Sequence, residues 1–174
     1  MGWLTHMGEG RRTVEFFPFT AFHGKQSAGG TNIRVNQLIK YWPDASLYRY
    51  GSSPDVLIFQ KVFVTQDYEF PIHYPGIKIL DVCDAVHLEG ALLKRTVDAM
   101  DAVTCSTDNL TKFIKQLTTK PVQTIPDRFD LEPIPERIKH EKTAETVVWF
   151  GFRHNIETLK PAMQLIDELN LNLI

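Results

Sequence analysis

The sequence has little of several features that would place it in a special class of protein. It contains only two cysteines, Cys83 and Cys105, which are too few for a disulfide framework and match no zinc-binding spacing. It has no run of about 18 apolar residues, which argues against a membrane-spanning helix. Residues 1–7 lack the basic segment and apolar core of a secretory signal. We therefore expect reduced, buried thiols in a cytoplasmic protein.

Strong charge of one sign is also missing. The chain has 19 lysines and arginines against 21 aspartates and glutamates, which gives a formal net charge of −2. So small a charge provides no electrostatic reason to expect nucleic-acid binding. The six histidines show no spacing typical of metal ligands, so we expect no tightly bound metal.

The apolar residues that are present form short, continuous runs bounded by turn residues. Such runs are typical of strands buried on both faces of a parallel sheet, and they predict strands at 14–19, 55–60, 78–83, 99–105, 121–125 and 146–151. Helical spacing of apolar residues lies between several of these runs, at 33–42, 89–100 and 108–118. The alternation predicts an α/β fold with a mostly parallel sheet.

One connection fits this alternation badly. A candidate edge strand at 45–50 is separated from the strand at 55–60 only by the turn 51–54. A parallel crossover needs about a dozen residues. We therefore expect either that these two strands are antiparallel or that 45–50 lies outside the sheet.

A change of composition divides the chain. Prolines among charged residues, without an apolar period, predict a linker at 126–145 between a domain at 1–125 and a second segment at 146–174. The apolar pattern of the second segment predicts only the first β-α-β unit of a domain. The apolar faces of its strand and helix are then not covered by other parts of the same domain. We therefore expect it to pack on the first domain or on another copy of the chain, as a homodimer.

Candidate site residues follow the predicted strands, because ligands of open parallel sheets bind at the carboxyl ends of the strands. After the first strand, Gly29 and Gly30 open a helix whose free N–H groups can hold an anion. Thr31 is its expected N-cap, and Asn32 and Arg34 lie in its first turns as further candidate cofactor contacts. The alternative is a flexible connection to a capped helix.

Two candidate catalytic residues follow the next two strands. Lys61, after 55–60, can place its charge on a phosphate or be a solvated strand end. Asp84, after 78–83, can bind sugar hydroxyls, act as a base or cap the next helix.

Near the end of the chain, Gly151 and Arg153 lie at a strand-to-helix turn that suits a diphosphate. The alternative for them is a plain tight turn with a solvated arginine. Ser106 and Thr107 are expected to cap a helix. No general base is placed by the sequence beside Ser106 or either cysteine, so we do not expect nucleophilic catalysis.

Four stretches, taken in order, resemble the GT-B class of nucleotide-sugar glycosyltransferases, particularly the retaining family four. They resemble its Gly-Gly loop, its A-D-x-V-x-x-x-S-x-x-L strand-helix, its P-V-x-V-I-P-N-G-V-D segment and the first strand of its carboxy-terminal domain. In this sequence they lie at 29–34, 101–110, 120–130 and 146–151.

The resemblance implies two Rossmann-like domains facing across a cleft, with three-layer architecture and the acceptor held mainly by 1–125. It implies sugar transfer from a nucleotide-diphosphate sugar, used as co-substrate, to a carbohydrate or other hydroxyl acceptor, without a tightly bound cofactor. Gly29 and Gly30 would approach the donor, and Arg153 its diphosphate. Peripheral membrane association of the full-length enzyme is a further implication. Because 151–174 lacks the family's acidic E-x7-E motif, we expect the 174-residue chain alone to be inactive.

Two alternatives use the same residues. A sugar-nucleotide epimerase shares the GT-B fold and would act without an acceptor. A non-catalytic, flavodoxin-like module that binds a nucleotide or a partner predicts instead that 146–174 completes a single sheet with 55–125.

Overall fold

A computed structural model describes residues 12–19, 29–65, 69–84, 90–127, 143–149 and 153–174. The chain divides into two compact units, Met1–Asp130 and Leu131–Ile174. The first unit is α/β, with a six-stranded parallel sheet flanked by helices, consistent with a Rossmann-like fold. The predicted fold class is confirmed, whereas the assignment of 1–125, 126–145 and 146–174 as domain, linker and second domain stays a prediction.

Six strands form the sheet, and every neighbouring pair is parallel. Their order across the sheet is β2-β1-β3-β4-β5-β6. The central strand β3 is buried on both faces, which explains why it appears in the sequence as a continuous apolar run. The bounds are β1 (Val14–Pro18), β2 (Ala45–Leu47), β3 (Val56–Gln60), β4 (Ile77–Val82), β5 (Ala102–Cys105) and β6 (Val122–Thr124).

In the described part of the first unit, four helices flank this sheet. The first, α1, consists of three contiguous segments, Gly29–Thr31, the π-helical turn Asn32–Asn36 and Gln37–Tyr41. The others are α2 (Phe70–His73), α3 (Gly90–Ala99) and α4 (Asp108–Lys115).

The ends of these helices test two of the predicted caps. Thr107 is the N-cap of α4, because its hydroxyl accepts a hydrogen bond of 3.2 Å from the backbone N–H of Leu110. Thr31 is not a cap, since it has helical dihedral angles (φ −65°, ψ −40°) inside α1. The prediction for Thr31 is therefore wrong, because the helix already begins at Gly29.

Both expectations for the connection between β2 and β3 are wrong, since both strands are parallel members of the sheet. They lie on opposite sides of β1, where Val14 pairs with Ala45 on one side and Val56 on the other. The last residue of β2, Leu47, pairs with Phe16, and the first residue of β3, Val56, pairs with Val14. Along the strand direction the chain therefore returns by only two residues of β1, about 7 Å, between β2 and β3. The short segment 48–55 is long enough for that return.

Each face of the sheet has its own apolar layer. On one face, side chains of β3, β4 and β5 pack against α3 and α4, and the layer includes Leu57, Phe59, Leu80, Leu93, Val97 and Ile114. On the other face, α1 places Val35 against Val14, Phe16 and Ile58. The two layers hold the sheet between helices, which fixes where its strand ends lie.

The second unit contains a parallel pair of strands, β7 (Thr146–Val147) and β8 (Asn172–Leu173). A 3-10 helix at Arg153–Leu159 and helix α5 (Lys160–Glu168) connect them, with Pro161 in the first turn of α5. Of the described residues in this unit, only Ile166 is buried, with 6% of its surface exposed. No helix in the described part of the chain is both long and apolar enough to cross a membrane.

One lysine caps the carboxyl end of α3, and its removal tests how strongly this end is held. The Lys120 Nζ lies 2.5 Å from the carbonyl oxygens of Asp98 and Met100, and 3.5 Å from that of Val97. We expect Lys120→Met to lower the free energy of unfolding by about 1–2 kcal/mol, since a cation there satisfies carbonyls and opposes the helix dipole. Chemical denaturation measures this.

The matched control is Lys112→Met, which removes an exposed lysine of α4. We expect it to change the unfolding free energy by less than about 0.5 kcal/mol. Equal effects of the two substitutions would contradict a capping role for Lys120.

Candidate functional site

The sheet changes its winding direction once, between β1 and β3. From β1 the chain first adds β2 on one side and then adds β3, β4, β5 and β6 in order on the other. In open parallel sheets the crevice at the carboxyl ends of the strands, at such a switch, is where ligands bind. The structure places five sequence candidates or their neighbours here: Gly30, Gln60, Lys61, Cys83 and Asp84. We call them the switch-point site.

The start of α1 lies directly against this edge of the sheet. A Cβ atom at Gly30 would lie 3.5 Å from the Cys83 Sγ and 3.6 Å from the Gln60 Nε2. The Thr31 hydroxyl donates to the Oε1 of the buried Gln60 over 3.2 Å and so fixes the helix start. Gly29 is exposed, with open space where its Cβ would be.

Sequence reasoning did not assign Gln60 a function. Its signal was a polar side chain at the end of an otherwise apolar strand, and a solvated strand end gives the same signal.

The two predicted catalytic residues are in contact. The Lys61 Nζ lies 2.6 Å from the Asp84 Oδ2, with the two side chains 17% and 40% exposed. Lys61 has a left-handed backbone (φ +55°), which is uncommon for a residue other than glycine. Its ammonium also lies 5.6 Å from the ring centroid of Phe19. The structure brings the pair together, but their catalytic role stays a prediction.

The thiol beside this ion pair is not activated. The Cys83 Sγ lies 3.8 Å from the Gln60 Nε2 and 4.0 Å from the Asp84 Oδ2. Burial is the main cause that raises the pKa of Cys83 to about 11, and burial also raises the pKa of Cys105. Since the thiolate is the reactive form, neither cysteine suits nucleophilic catalysis near neutral pH.

Arg34 lies beneath the site, 3% exposed, with a partner for each nitrogen of its guanidinium. Its Nε donates to the Asp81 Oδ2 over 3.1 Å and its Nη2 donates to Oδ1 of the same carboxylate. Its Nη1 reaches the Ile125 carbonyl oxygen and, over 3.1 Å, the Asp127 carboxylate. Thr104 adds a hydrogen bond of 2.7 Å to Asp81.

These contacts give Arg34 a structural role. Burial by itself would lower its pKa, but the hydrogen bonds and charges of Asp81 and Asp127 outweigh burial and raise the pKa. Arg34 therefore stays charged and ties α1 to β4 and to the segment after β6. Its predicted contact with a cofactor stays a prediction that this arrangement does not favour.

The remaining candidates lie apart from these residues or outside the description. Asn32 is exposed on α1, and its Oδ1 accepts a hydrogen bond of 3.4 Å from Asn36. Arg153 begins the 3-10 helix of the second unit, and its side chain, like Gly151, lies outside the described residues. In the described part of the chain, no cluster of three or more His, Cys, Asp or Glu side chains could hold a metal ion.

A large depression, of about 660 Å³, lies at the opposite edge, by the amino ends of β3 and β4. The carboxylates of Asp55 and Asp101, which line it, already accept hydrogen bonds from backbone N–H groups of the chain. Asp55 accepts from the Thr13 backbone N–H (2.8 Å) and hydroxyl (3.0 Å), which lowers the pKa of Asp55. Asp101 accepts from the backbone N–H of Lys78 over 2.8 Å. We therefore place the candidate site at the carboxyl edge.

The reactivity of Cys83 tests the surroundings of the site. With a pKa of about 11, Cys83 should react with iodoacetamide at pH 8 roughly two orders of magnitude more slowly than an ordinary thiol of pKa about 8.5. The rate should rise with pH as the thiolate forms. Mass spectrometry of the Cys83 peptide measures the rate, with the unfolded chain as control, and equal rates in folded and unfolded chains would contradict this environment.

Removing Arg34 tests its role beneath the site. Arg34→Met leaves the buried Asp81 carboxylate without its cation, so we expect a loss of about 3–5 kcal/mol in unfolding free energy. Asp127→Asn, at a carboxylate that is 47% exposed, should lose about 1 kcal/mol or less. Adding Asp81→Leu to Arg34→Met should restore part of the loss, and an additive further loss would contradict a buried pair.

Comparisons of the chain with known proteins identify no relative. No protein-family model matches the chain, and neither curated proteins nor solved structures show a significant match.

Proposed function

We propose that the chain contains the acceptor-side domain of a GT-B glycosyltransferase and the start of its donor-side domain. The full-length enzyme would transfer a sugar from a nucleotide-diphosphate sugar to a hydroxyl acceptor. The parallel sheet with a switch point after β1 supports this proposal, as does the β-α-β order of β7, α5 and β8 in the second unit. So does the order of the four stretches that resemble family four.

One observation carries the proposal, namely the position of Gly29 and Gly30 at the start of α1 beside the switch point. Without side chains there, a ligand can come close to the first N–H groups of the helix, which favour phosphate. These two glycines belong to the stretch that resembles the family's Gly-Gly loop. Lys61 and Asp84 add polar groups at the same edge.

The proposed chemistry relies on stabilising the leaving diphosphate. Preorganised N–H groups at the start of α1 would offset the negative charge that develops on the diphosphate as the sugar leaves. The protonated state of Cys83 and the capping role of Thr107 argue against a covalent intermediate on these residues. The acceptor hydroxyl oxygen would bond to the anomeric carbon of the donor sugar as the bond from that carbon to the diphosphate breaks, and the hydroxyl proton would pass to the leaving phosphate oxygen.

A flavodoxin-like binding module is the alternative that one observation favours. The strand order 2-1-3-4-5 is that of flavodoxin, with a ligand at the same β1/β3 switch. That hypothesis also predicts that 146–174 joins the main sheet, yet β7 and β8 form a separate two-stranded sheet. The glycosyltransferase is therefore the function we favour, and the epimerase of the same fold stays an alternative.

Gly30→Ala tests the proposal because the new methyl group fits the protein itself. It would make ordinary contacts of 3.5 and 3.6 Å, and alanine favours a helix over glycine by up to about 1 kcal/mol. We therefore expect an unchanged or higher melting temperature, together with at least tenfold weaker binding of a nucleotide-diphosphate sugar. Calorimetric titration with UDP-glucose, GDP-mannose and ADP-glucose measures the binding.

Lys112→Gln, on the exposed face of α4, is the control and should leave both properties unchanged. The proposal is contradicted if none of the three nucleotide sugars binds, or if Gly30→Ala binds them as the parent chain does.

A further inference from the structure

A row of polar side chains crosses the carboxyl end of the sheet beside α1. Gln60 of β3 is in register with Asp81 of β4, and Asp81 is in register with Thr104 of β5. Helix α1 contacts this row twice, since Thr31 donates to Gln60 and Arg34 donates to Asp81. Residues three apart lie on one face of a helix. The two contacts together therefore fix the rotation of α1 and its position along the strands.

The orientation of the Gln60 amide follows from its neighbours. Its Oε1 accepts from the Thr31 hydroxyl over 3.2 Å and from the backbone N–H of Phe19, directly after β1, over 3.4 Å. A backbone N–H can only donate, so the amide atom that faces it is the oxygen. The Nε2 therefore faces away from β1. It lies 3.8 Å from the Cys83 Sγ and 3.6 Å from the position that a Cβ atom of Gly30 would occupy.

This orientation turns the positive end of the Gln60 amide toward the start of α1. Gln60 is 1% exposed, so water screens its dipole only weakly. The sulfur of Cys83 is a weak acceptor, which neutralises little of that dipole. The field of the amide therefore adds to that of the first N–H groups of α1, at Gly29 and Gly30.

The charged side chains near Gln60 supply no comparable field. Arg34 is paired with Asp81, and Lys61 is paired with Asp84. The amide of Gln60 is neutral, yet its donor end has no charged partner among these groups.

We propose that Gln60 is the positioning residue of the candidate phosphate site. Its Oε1 ties the end of β1 to the first turn of α1, and its Nε2 holds a positive dipole end toward Gly30. A side chain buried to this degree acts through α1 and does not touch the ligand itself. The inference deepens the proposed function and rests on it, because it names the residue that places and polarises the start of α1.

Gln60→Glu tests the direction of the dipole. Glutamate keeps the shape of the side chain and an oxygen for Thr31 and Phe19, but it places a second oxygen where the Nε2 was. Burial raises the pKa of such a carboxyl group, so the group is neutral at low pH and negative at high pH. A nucleotide-diphosphate sugar keeps both phosphate charges over this range, and Cys83, with a pKa of about 11, stays protonated.

The measurement is calorimetric titration of the 174-residue chain with UDP-glucose, GDP-mannose and ADP-glucose. We expect Gln60→Glu to bind within about threefold of the parent chain near pH 5.5 and about tenfold more weakly, or worse, near pH 8. The parent chain carries every other titratable group of the site, so a pH dependence that only the variant shows belongs to the new carboxylate.

Gln116→Glu is the matched control, because it adds the same carboxylate on an exposed residue at the end of α4. It should bind as the parent chain does at both pH values. Thermal melting without ligand confirms that each variant is folded under the conditions of the titration.

A second pair of variants tests the positioning contact without any change of charge. Thr31→Val keeps the shape of the side chain and removes the hydroxyl that donates to Gln60, whereas Thr31→Ser keeps the hydroxyl. We expect the valine variant to bind the nucleotide sugars about fivefold more weakly, or worse, and the serine variant to stay within about twofold of the parent chain. This pair suffices for the test if Gln60→Glu does not fold.

Two results would overturn this inference alone and leave the proposed function standing. They are equal binding by Gln60→Glu and the parent chain near pH 8, and equal binding by Thr31→Val and Thr31→Ser. If the parent chain binds none of the three nucleotide sugars, the proposed function fails and this inference fails with it.

Discussion

The buried ion pair between Arg34 and Asp81 is the contact on which the rest of the site depends. Asp81 lies in the central strand β4, in register with Gln60 of β3 and Thr104 of β5, so a polar row crosses the otherwise apolar sheet. Two charges removed from water are strongly unfavourable unless they stay paired. The pairing of Arg34 with Asp81 therefore sets the position of α1 on the sheet, and with it the place of Gly30 over the strand ends.

This arrangement separates a charged interior from a crevice whose ion pair is neutral. The positive charge of Arg34 is neutralised by Asp81 and Asp127. At the edge of the sheet, the opposite charges of Lys61 and Asp84 neutralise each other. The feature that remains open to a ligand is the start of α1, where Gly29 has open space in place of a side chain. The first N–H groups of a helix favour phosphate, as the proposed nucleotide-diphosphate sugar requires.

The strands were predictable because burial on both faces leaves a continuous apolar run, and the edge that carries Lys61 and Asp84 follows from the same runs. The connection from β2 to β3 was not predictable from the sequence. The requirement of about a dozen residues for a parallel crossover assumes strands of full length, whereas β2 has three residues. The sequence predicts a cofactor contact for Arg34, because a charge in the first turns of a helix appears the same whether it faces a ligand or a buried partner. Its partner Asp81 lies 47 residues away, a distance at which sequence spacing carries no signal.

The most direct test of the account is a map of backbone amide shifts as a nucleotide-diphosphate sugar is added to the chain. If the switch point after β1 holds the ligand, the largest shifts will fall on Gly29, Gly30 and Lys61, at the carboxyl edge. Asp55 and Lys78, at the amino edge, will then stay unchanged. Shifts concentrated at the amino edge, or none at saturating ligand, would contradict the account.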